Sequence, residues 1–314
     1  MSRPIDYPDG KLFAFGIVDD TDLGTVKNLG PVYDFLHDLG FRTTKTVWVQ
    51  RSTTPDKFDT RSQTLSDPKY LRFTLELQRR GFEIATHHAA PGTSCRTSTA
   101  EAYERFNDVF GHYPTININH CDNTEGIYWG KSRFDSRLMQ IGYNALMNRE
   151  QYCGHDETSD LFWGDICQRH TKYVRNFVFE NINTTKADPF MPYHDTRRPY
   201  VNYWFSSSDG ARVEKFNSLL SEENQEQLVR QRGCCIVYTH FGKDFVEDGM
   251  LNPVWRERMT SLAEKGGWFA PTSEILDLLL SHRTGRQITG IGRKYLCFRW
   301  LLEKARAYAL GKLS

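Results

Sequence analysis

Four short clusters in this sequence carry side chains that bind divalent ions or move protons. The first is Asp19-Asp20-Thr21-Asp22, directly after the apolar run KLFAFGIV. Neighbouring carboxylates repel, and a bound cation or a shared proton relieves that cost; a helix cap or plain turn uses the same residues. The second is His87-His88, after GFEIAT. Histidine is both the common imidazole ligand and the usual proton carrier near neutral pH. Adjacent side chains on an extended chain diverge, so both reach one ion only if the backbone turns, and Ala89-Ala90-Pro91-Gly92 supplies a turn. The third is Asn119-His120-Cys121-Asp122-Asn123-Thr124-Glu125, followed by Tyr128-Trp129-Gly130. It combines acceptors with aromatic rings able to stack on a sugar; alternatively, Asp122 or Asn123 caps a helix starting near Glu125. The fourth is Thr239-His240-Phe241-Gly242, after CIVY. A further loop, Pro192-Tyr193-His194-Asp195 with Arg197-Arg198, offers guanidinium groups suited to a phosphate or carboxylate.

These clusters need elements to position them. Apolar or β-branched runs at 11–18, 43–49, 82–85 and 115–118 read as strands, and residues 30–39, 68–80 and 100–110 have helical spacing. Strand and helix in alternation predict parallel strands with covering helices. The polar clusters follow the strands, so they fall on the carboxyl-terminal rim, where such architectures build sites. Further on, 136–146 reads as a helix, 199–205 and 235–238 as strands, 257–265 as a helix, 268–270 as a last strand and 273–280 as a closing helix. KYVRNFVF lies between a Trp- and His-bearing stretch and the loop 183–198, and Ser206-Ser207-Ser208-Asp209-Gly210 reads as a turn.

With 314 residues, the length suits one α/β barrel, and 39% hydrophobic with 25% charged residues suits a globular chain. A formal net charge of +1 gives no global field for nucleic acid. The start MSRPIDYPDGKLFAFG has no signal-like apolar run, and the seven cysteines fit no repeated CxxC spacing. Reduced thiols in a cytoplasm are therefore expected. Cys234 and Cys235 head an apolar strand and read as core.

In order, these motifs resemble the polysaccharide deacetylases of the nodulation-factor type. GIVDDTD resembles the family's opening strand with its paired aspartate, and GFEIATHHAAPG its His-x-x-x-His motif. IVYTHFG resembles the strand that ends in a histidine, and KGGWFAPTSEILDLL the final strand and helix. The resemblance covers roughly residues 11–130 and 199–280. It implies a distorted (β/α)7-type barrel in a single domain over 1–284, leaving 285–314 as a basic amphipathic C-terminal helix. It implies Asp19 as general base, Asp20 and His87 as ligands of a divalent ion, usually zinc, and His240 as general acid. Two positions depart from the pattern: Pro91 stands where the second metal histidine would be, and Asn119–Cys121 replace an Arg-Pro-Pro motif. His88 and His120 are the candidate third ligands, and His120 is preferred because it ends its own strand.

The resulting expectation is a hydrolase that removes an acyl group, acetyl in the family, from an amide nitrogen of a sugar in glycan or glycolipid-precursor biosynthesis. A metal-independent amidohydrolase of a small cyclic amide and an inactive carbohydrate-binding barrel are the alternatives. Asn123, Tyr128, Trp129, His194 and Arg197 are the expected substrate wall. Residues 291–314 carry six basic side chains against Glu303, with apolar positions at helical spacing. This is a helix docked on the barrel, or one that also touches an anionic membrane surface.

Overall fold

In a computed structural model, which describes residues 5–53, 58, 61–147, 150–282 and 287–310, the parallel strands close into a seven-stranded barrel. The strands are β1 (Ala14–Asp19), β2 (Thr44–Val47), β3 (Glu83–Thr86), β4 (Ile116–Asn117), β5 (Tyr173–Phe179), β6 (Tyr203–Asp209) and β7 (Cys234–Thr239). They pair in chain order, and β7 returns to β1 in a register running from Ala14↔Cys234 to Asp19↔Thr239. The helices are α1 (Val26–Asp38), α2 (Pro68–Arg79), α3 (Arg96–Phe110), α4 (Arg137–Leu146), α5 (Gly164–His170) and α6 (Thr184–Ala187), then α7 (Val213–Leu219), α8 (Glu222–Arg230), α9 (Pro253–Glu264), α10 (Thr272–Ser281) and α11 (Gly290–Ala309). The expected (β/α)7-type barrel is therefore present.

Strand alternation divides the core in two. Ala14, Val18, Ala85, Ile116, Ile118, Cys234 and Ile236 belong to one buried cluster. Phe13, Phe15, Ile17, Val47, Ile84, Cys235 and Val237 belong to a second, together with Leu29, Val32, Tyr33 and Leu36 of α1 and Tyr70 and Leu77 of α2. The second cluster lies between these strands and α1 and α2; the first joins inward strand residues to side chains of α5, α10 and α11. Side chains of successive strand residues point to opposite faces, so this parity carries on into the residues just past each strand.

Several local expectations are corrected. Residues 268–270 form no strand, only a bridge from Trp268 to Ala14. The strand expected at 199–205 begins at Tyr203 and runs through the serines to Asp209. A serine run lacks the β-branched signal, but in a closed sheet its backbone is paired. Two of its three hydroxyls find acceptors: Ser206 donates to Asp188 (2.7 Å) and Ser208 to the Asn181 carbonyl (2.6 Å). No helix begins near Glu125; residues 121–129 form successive turns.

The expected boundary between 284 and 285 lies outside the described residues, as do Lys312 and Leu313. α11 lies along α4 and β5, burying Leu296, Cys297 and Trp300. Its first turn is clamped by Arg293, which donates to both carboxylate oxygens of Asp195 and to Asp135. Among the described residues, no helix is long and apolar enough to cross a membrane.

Candidate active site

Three side chains converge at the carboxyl ends of β1, β3 and β4. His87 Nε2 lies 3.4 Å from Asp22 Oδ1, and His120 Nε2 lies 3.9 Å from Asp22 Oδ2. Their ligand atoms all lie within 4.8 Å of one another. His87 continues the inner parity of Ala85, and His120 that of Ile116 and Ile118; Asp22 is brought in by the turn that follows β1. Asp22 Oδ1 and His120 Nε2 are buried and make no hydrogen bond. Buried polar atoms are normally satisfied, so a set of one carboxylate and two imidazoles with open atoms fits a divalent ion. His120 is prepared for that role. Its Nδ1 lies 2.7 Å from Asn123 Oδ1; an amide oxygen only accepts, so the ring proton sits on Nδ1 and leaves the Nε2 lone pair free.

Two further nitrogen side chains face Asp22. His240 Nε2 is 3.5 Å and Lys243 Nζ 3.0 Å from Oδ2. Burial alone would raise the Asp22 carboxyl, but His240, His87 and His120 hold it well below the ordinary carboxylate range. His240 Nδ1 points at the Ala211 carbonyl (2.8 Å), which fixes the ring with Nε2 toward the site. The glycine after Phe241 is a packing requirement: a Cβ on Gly242 would sit 2.5–2.7 Å from backbone atoms of Asp22, Leu23 and Gly24. That contact seats the His240 loop against the Asp22 turn.

The paired aspartates separate. Asp19 has the parity of Phe15 and Ile17 and points outward beneath α1. Lys45 Nζ is 2.9 Å from Oδ2, the Tyr33 hydroxyl donates to Oδ2 and the Phe241 amide to Oδ1. The geometry therefore corrects Asp19 as general base, because its carboxylate is fully engaged on the wrong side of the sheet. Asp20 faces inward, and Arg175 of β5 grips both of its oxygens, at 3.0 and 2.5 Å. It is therefore not a member of the triad, and Asp22 stands where Asp20 was expected. Burial would raise Asp20, yet Arg175, with His87 and His240 nearby, lowers its carboxyl.

His88 turns away from its neighbour. Its backbone is left-handed (φ 64°), and its ring lies against Trp163, with Nδ1 4.0 Å from Glu125 Oε1. Asn123 is fully buried; its amide donates to the Ala90 and Gly92 carbonyls and to Glu125. It positions His120 instead of facing an opening, which corrects its expected place in the substrate wall.

The other expected wall residues divide by location. Trp129 lines a cavity of about 240 Å³ whose lining includes Cys121, the chain neighbour of His120, and Ala211, whose carbonyl bonds His240 Nδ1. Tyr128 lies behind it, 7% exposed, stacked near Tyr200. His194 bonds the Asn202 carbonyl just before β6 and shares a depression with residues preceding β5, at the amino-terminal end of the barrel. Arg197 pairs with Asp135 beside the start of α11. Neither adjoins the triad; the chain folds back after β5 to pair Tyr193 with Trp204, which carries this loop to the other end.

Sequence reading passed over Asp22 as a ligand, and Arg175 and Lys243 altogether. Asp22 lies two residues beyond Asp20, in the turn that follows β1. Arg175, inside the apolar YVRNFVF, is a charge that only a buried acid could offset, and that signal was available.

No protein-family model matches the chain, and no curated protein matches it. Among solved structures, a protein from Mycobacterium smegmatis assigned as a polysaccharide deacetylase superposes with a TM-score of 0.50 at 14% identity, covering 91% of this chain and 96% of its own. One from Pseudomonas aeruginosa PAO1, assigned likewise, gives a TM-score of 0.52 at 9% identity, covering 88% and 93%. At such identity the likeness is one of fold.

Proposed function

We propose that this protein is a metal-dependent hydrolase that removes an acyl group, acetyl foremost, from an amide nitrogen of a sugar in glycan or glycolipid-precursor biosynthesis. The observation that carries the reading is the Asp22–His87–His120 triad, with open ligand atoms, faced by His240 and flanked by the Asp20–Arg175 pair. The similarity of fold to structures assigned as polysaccharide deacetylases supports it.

Asp22, His87 and His120 would hold the ion, which supplies Lewis acidity by lowering the pKa of water and polarising a carbonyl. Zinc suits one carboxylate and two imidazoles. Asp20, kept anionic and oriented by Arg175, accepts the proton of the attacking water. His240, with Nδ1–H fixed on Ala211 and Nε2 toward the site, delivers a proton to the departing nitrogen. Amide and water become amine and carboxylic acid. Lys243 offsets charge at Asp22, and Trp129 offers a stacking face for the sugar.

The deciding experiment combines elemental analysis of the purified protein with acetate release from N-acetylated sugars. Stoichiometric divalent metal together with acetate release that depends on it is expected. Turnover without metal would point instead to a small cyclic-amide amidohydrolase. Sugar binding without any turnover would leave a carbohydrate-binding barrel.

A further inference from the structure

Arg133 is a buried guanidinium, 6% exposed, whose neighbours are aromatic rings. Its guanidinium carbon lies 3.5 Å from the centroid of Trp129, 5.4 Å from Trp300 and 5.7 Å from Phe177. Its Nε has no hydrogen-bond partner, and among the described residues it forms no ion pair. A buried charge is ordinarily paired, because rings soften its desolvation without neutralising it. Burial pushes this group down only to about 10, so it stays cationic at neutral pH.

Arg133 lines the same cavity as Trp129, Cys121 and Ala211, the last of which bonds His240. So does Lys304, 8% exposed, with Nζ 5.9 Å from the Trp300 centroid. Two acids also line it. Asp209 is taken by Lys215 at 3.1 Å, which leaves Glu180 against Arg133 and Lys304. The neighbouring arginines are already spent: Arg198 on Asp195, Asp135 and two carbonyls, Arg197 on Asp135.

We propose that this cavity receives an anionic group of the substrate, a carboxylate or phosphate attached to the acylated sugar. Arg133 and Lys304 bind it, and Trp129 packs on the sugar face. The acylated half of that ligand rests on the hydrolase reading above; the anionic half rests on the cavity alone. A planar guanidinium fork matches either oxyanion, and the aromatic stack holds the fork in place.

The test is calorimetric binding of five probes to the full chain: N-acetylglucosamine, its 1-phosphate, its uronate, and glucose 1-phosphate and glucuronate, which lack the acetamido group. At least ~10-fold tighter binding of the acidic N-acetyl sugars than of the neutral one is expected, as for one charge-assisted contact. Arg133→Gln should remove the preference, and Arg133→Lys should keep part of it. The tighter of the phosphate and uronate arms identifies the anion's source. Equal binding of neutral and acidic N-acetyl sugars overturns the proposal, as does an Arg133→Gln protein of native thermal stability that retains the preference. Should Arg133→Gln fail to fold, Lys304→Gln decides: a loss confined to acidic probes supports the site, and an equal loss on all probes overturns it. Acidic sugars that bind equally well with and without the acetamido group, and release no acetate, would leave the anion site standing and end the deacylation reading.

Discussion

Asp19 and Lys45 form an ion pair of 2.9 Å in which neither side chain has any exposure. The pair joins β1 to β2 on the outer face of the sheet, and its acid also accepts the Phe241 amide. Removing one partner of a buried pair strands a charge, at a cost of about 3–5 kcal/mol. Lys45→Met is expected to lower the unfolding free energy by that amount in urea titrations. The double variant with Asp19→Asn should lose clearly less than the sum of the singles. Additive losses would mean the two groups are not coupled.

Asp20 and Arg175 are expected to matter for turnover. Asp20→Asn, His240→Ala and Arg175→Met should each reduce acetate release by about 100-fold or more, the usual worth of such groups. Arg175→Lys should recover part of the loss, since it restores charge without the two-pronged grip. A folded Asp20→Asn protein with near-normal turnover removes it as the base.

Chelation should abolish activity and lower Tm, with recovery on adding zinc, cobalt or manganese. His120→Ala should not recover. Asn123→Ala should still bind, with metal affinity weakened about 10–100-fold, because it frees the His120 ring that its carbonyl now orients. Unchanged affinity in Asn123→Ala would show that the ring needs no such support.

Glu125 sets a pH dependence of stability. Burial raises its carboxyl to about 7 from the ordinary 4.5. The folded state thus holds a proton that the unfolded state has released, so stability falls as pH rises from about 4.5 to about 7 and levels off above. The slope approaches 1.4 kcal/mol per pH unit within that window. Glu125→Gln keeps the oxygen that accepts from Asn123, and is expected to flatten the slope and stabilise the protein at pH 8. A wild-type stability that is flat or rising across the window, with no change in the variant, would exclude the effect.

On α11, Ile291, Tyr295, Phe298 and Leu302 are exposed at successive helical spacings, with Lys294, Arg299 and Arg306 on the same helix. This face suits peripheral contact with an anionic lipid surface, each nearby basic residue adding on the order of 1 kcal/mol. The full chain should sediment with anionic vesicles at low salt, and Ile291→Glu/Phe298→Glu should not. A wild-type chain that stays in the supernatant ends the idea. Truncation is the poorer test, because α11 also supplies Trp300 and Lys304 to the cavity.

The sequence by itself determined the barrel and the rim that carries the candidate site. Alternating apolar strands and helices leave few other architectures, and polar clusters after strands can only fall on the carboxyl-terminal edge. His87, His120 and His240 are legible in the sequence as residues at strand ends, but the inner face they share with Ala85, Ile118 and Ile236 emerges only from the packing. The sequence places Asp19 and Asp20 together at the rim; strand alternation sends them to opposite faces, and the packing decides which one points inward. What remained to the tertiary structure was which partner each charge meets. Arg175 reaches Asp20 across 155 positions, and Phe241 reaches Asp19 across 222. No local pattern encodes such pairings; they exist only once the barrel closes. The placement of His194 and Arg197 away from the site, and of Arg133 in the cavity with Trp129 and Cys121, without an ion pair among the described residues, was decided likewise by how the chain between β4 and β6 folds back on the barrel.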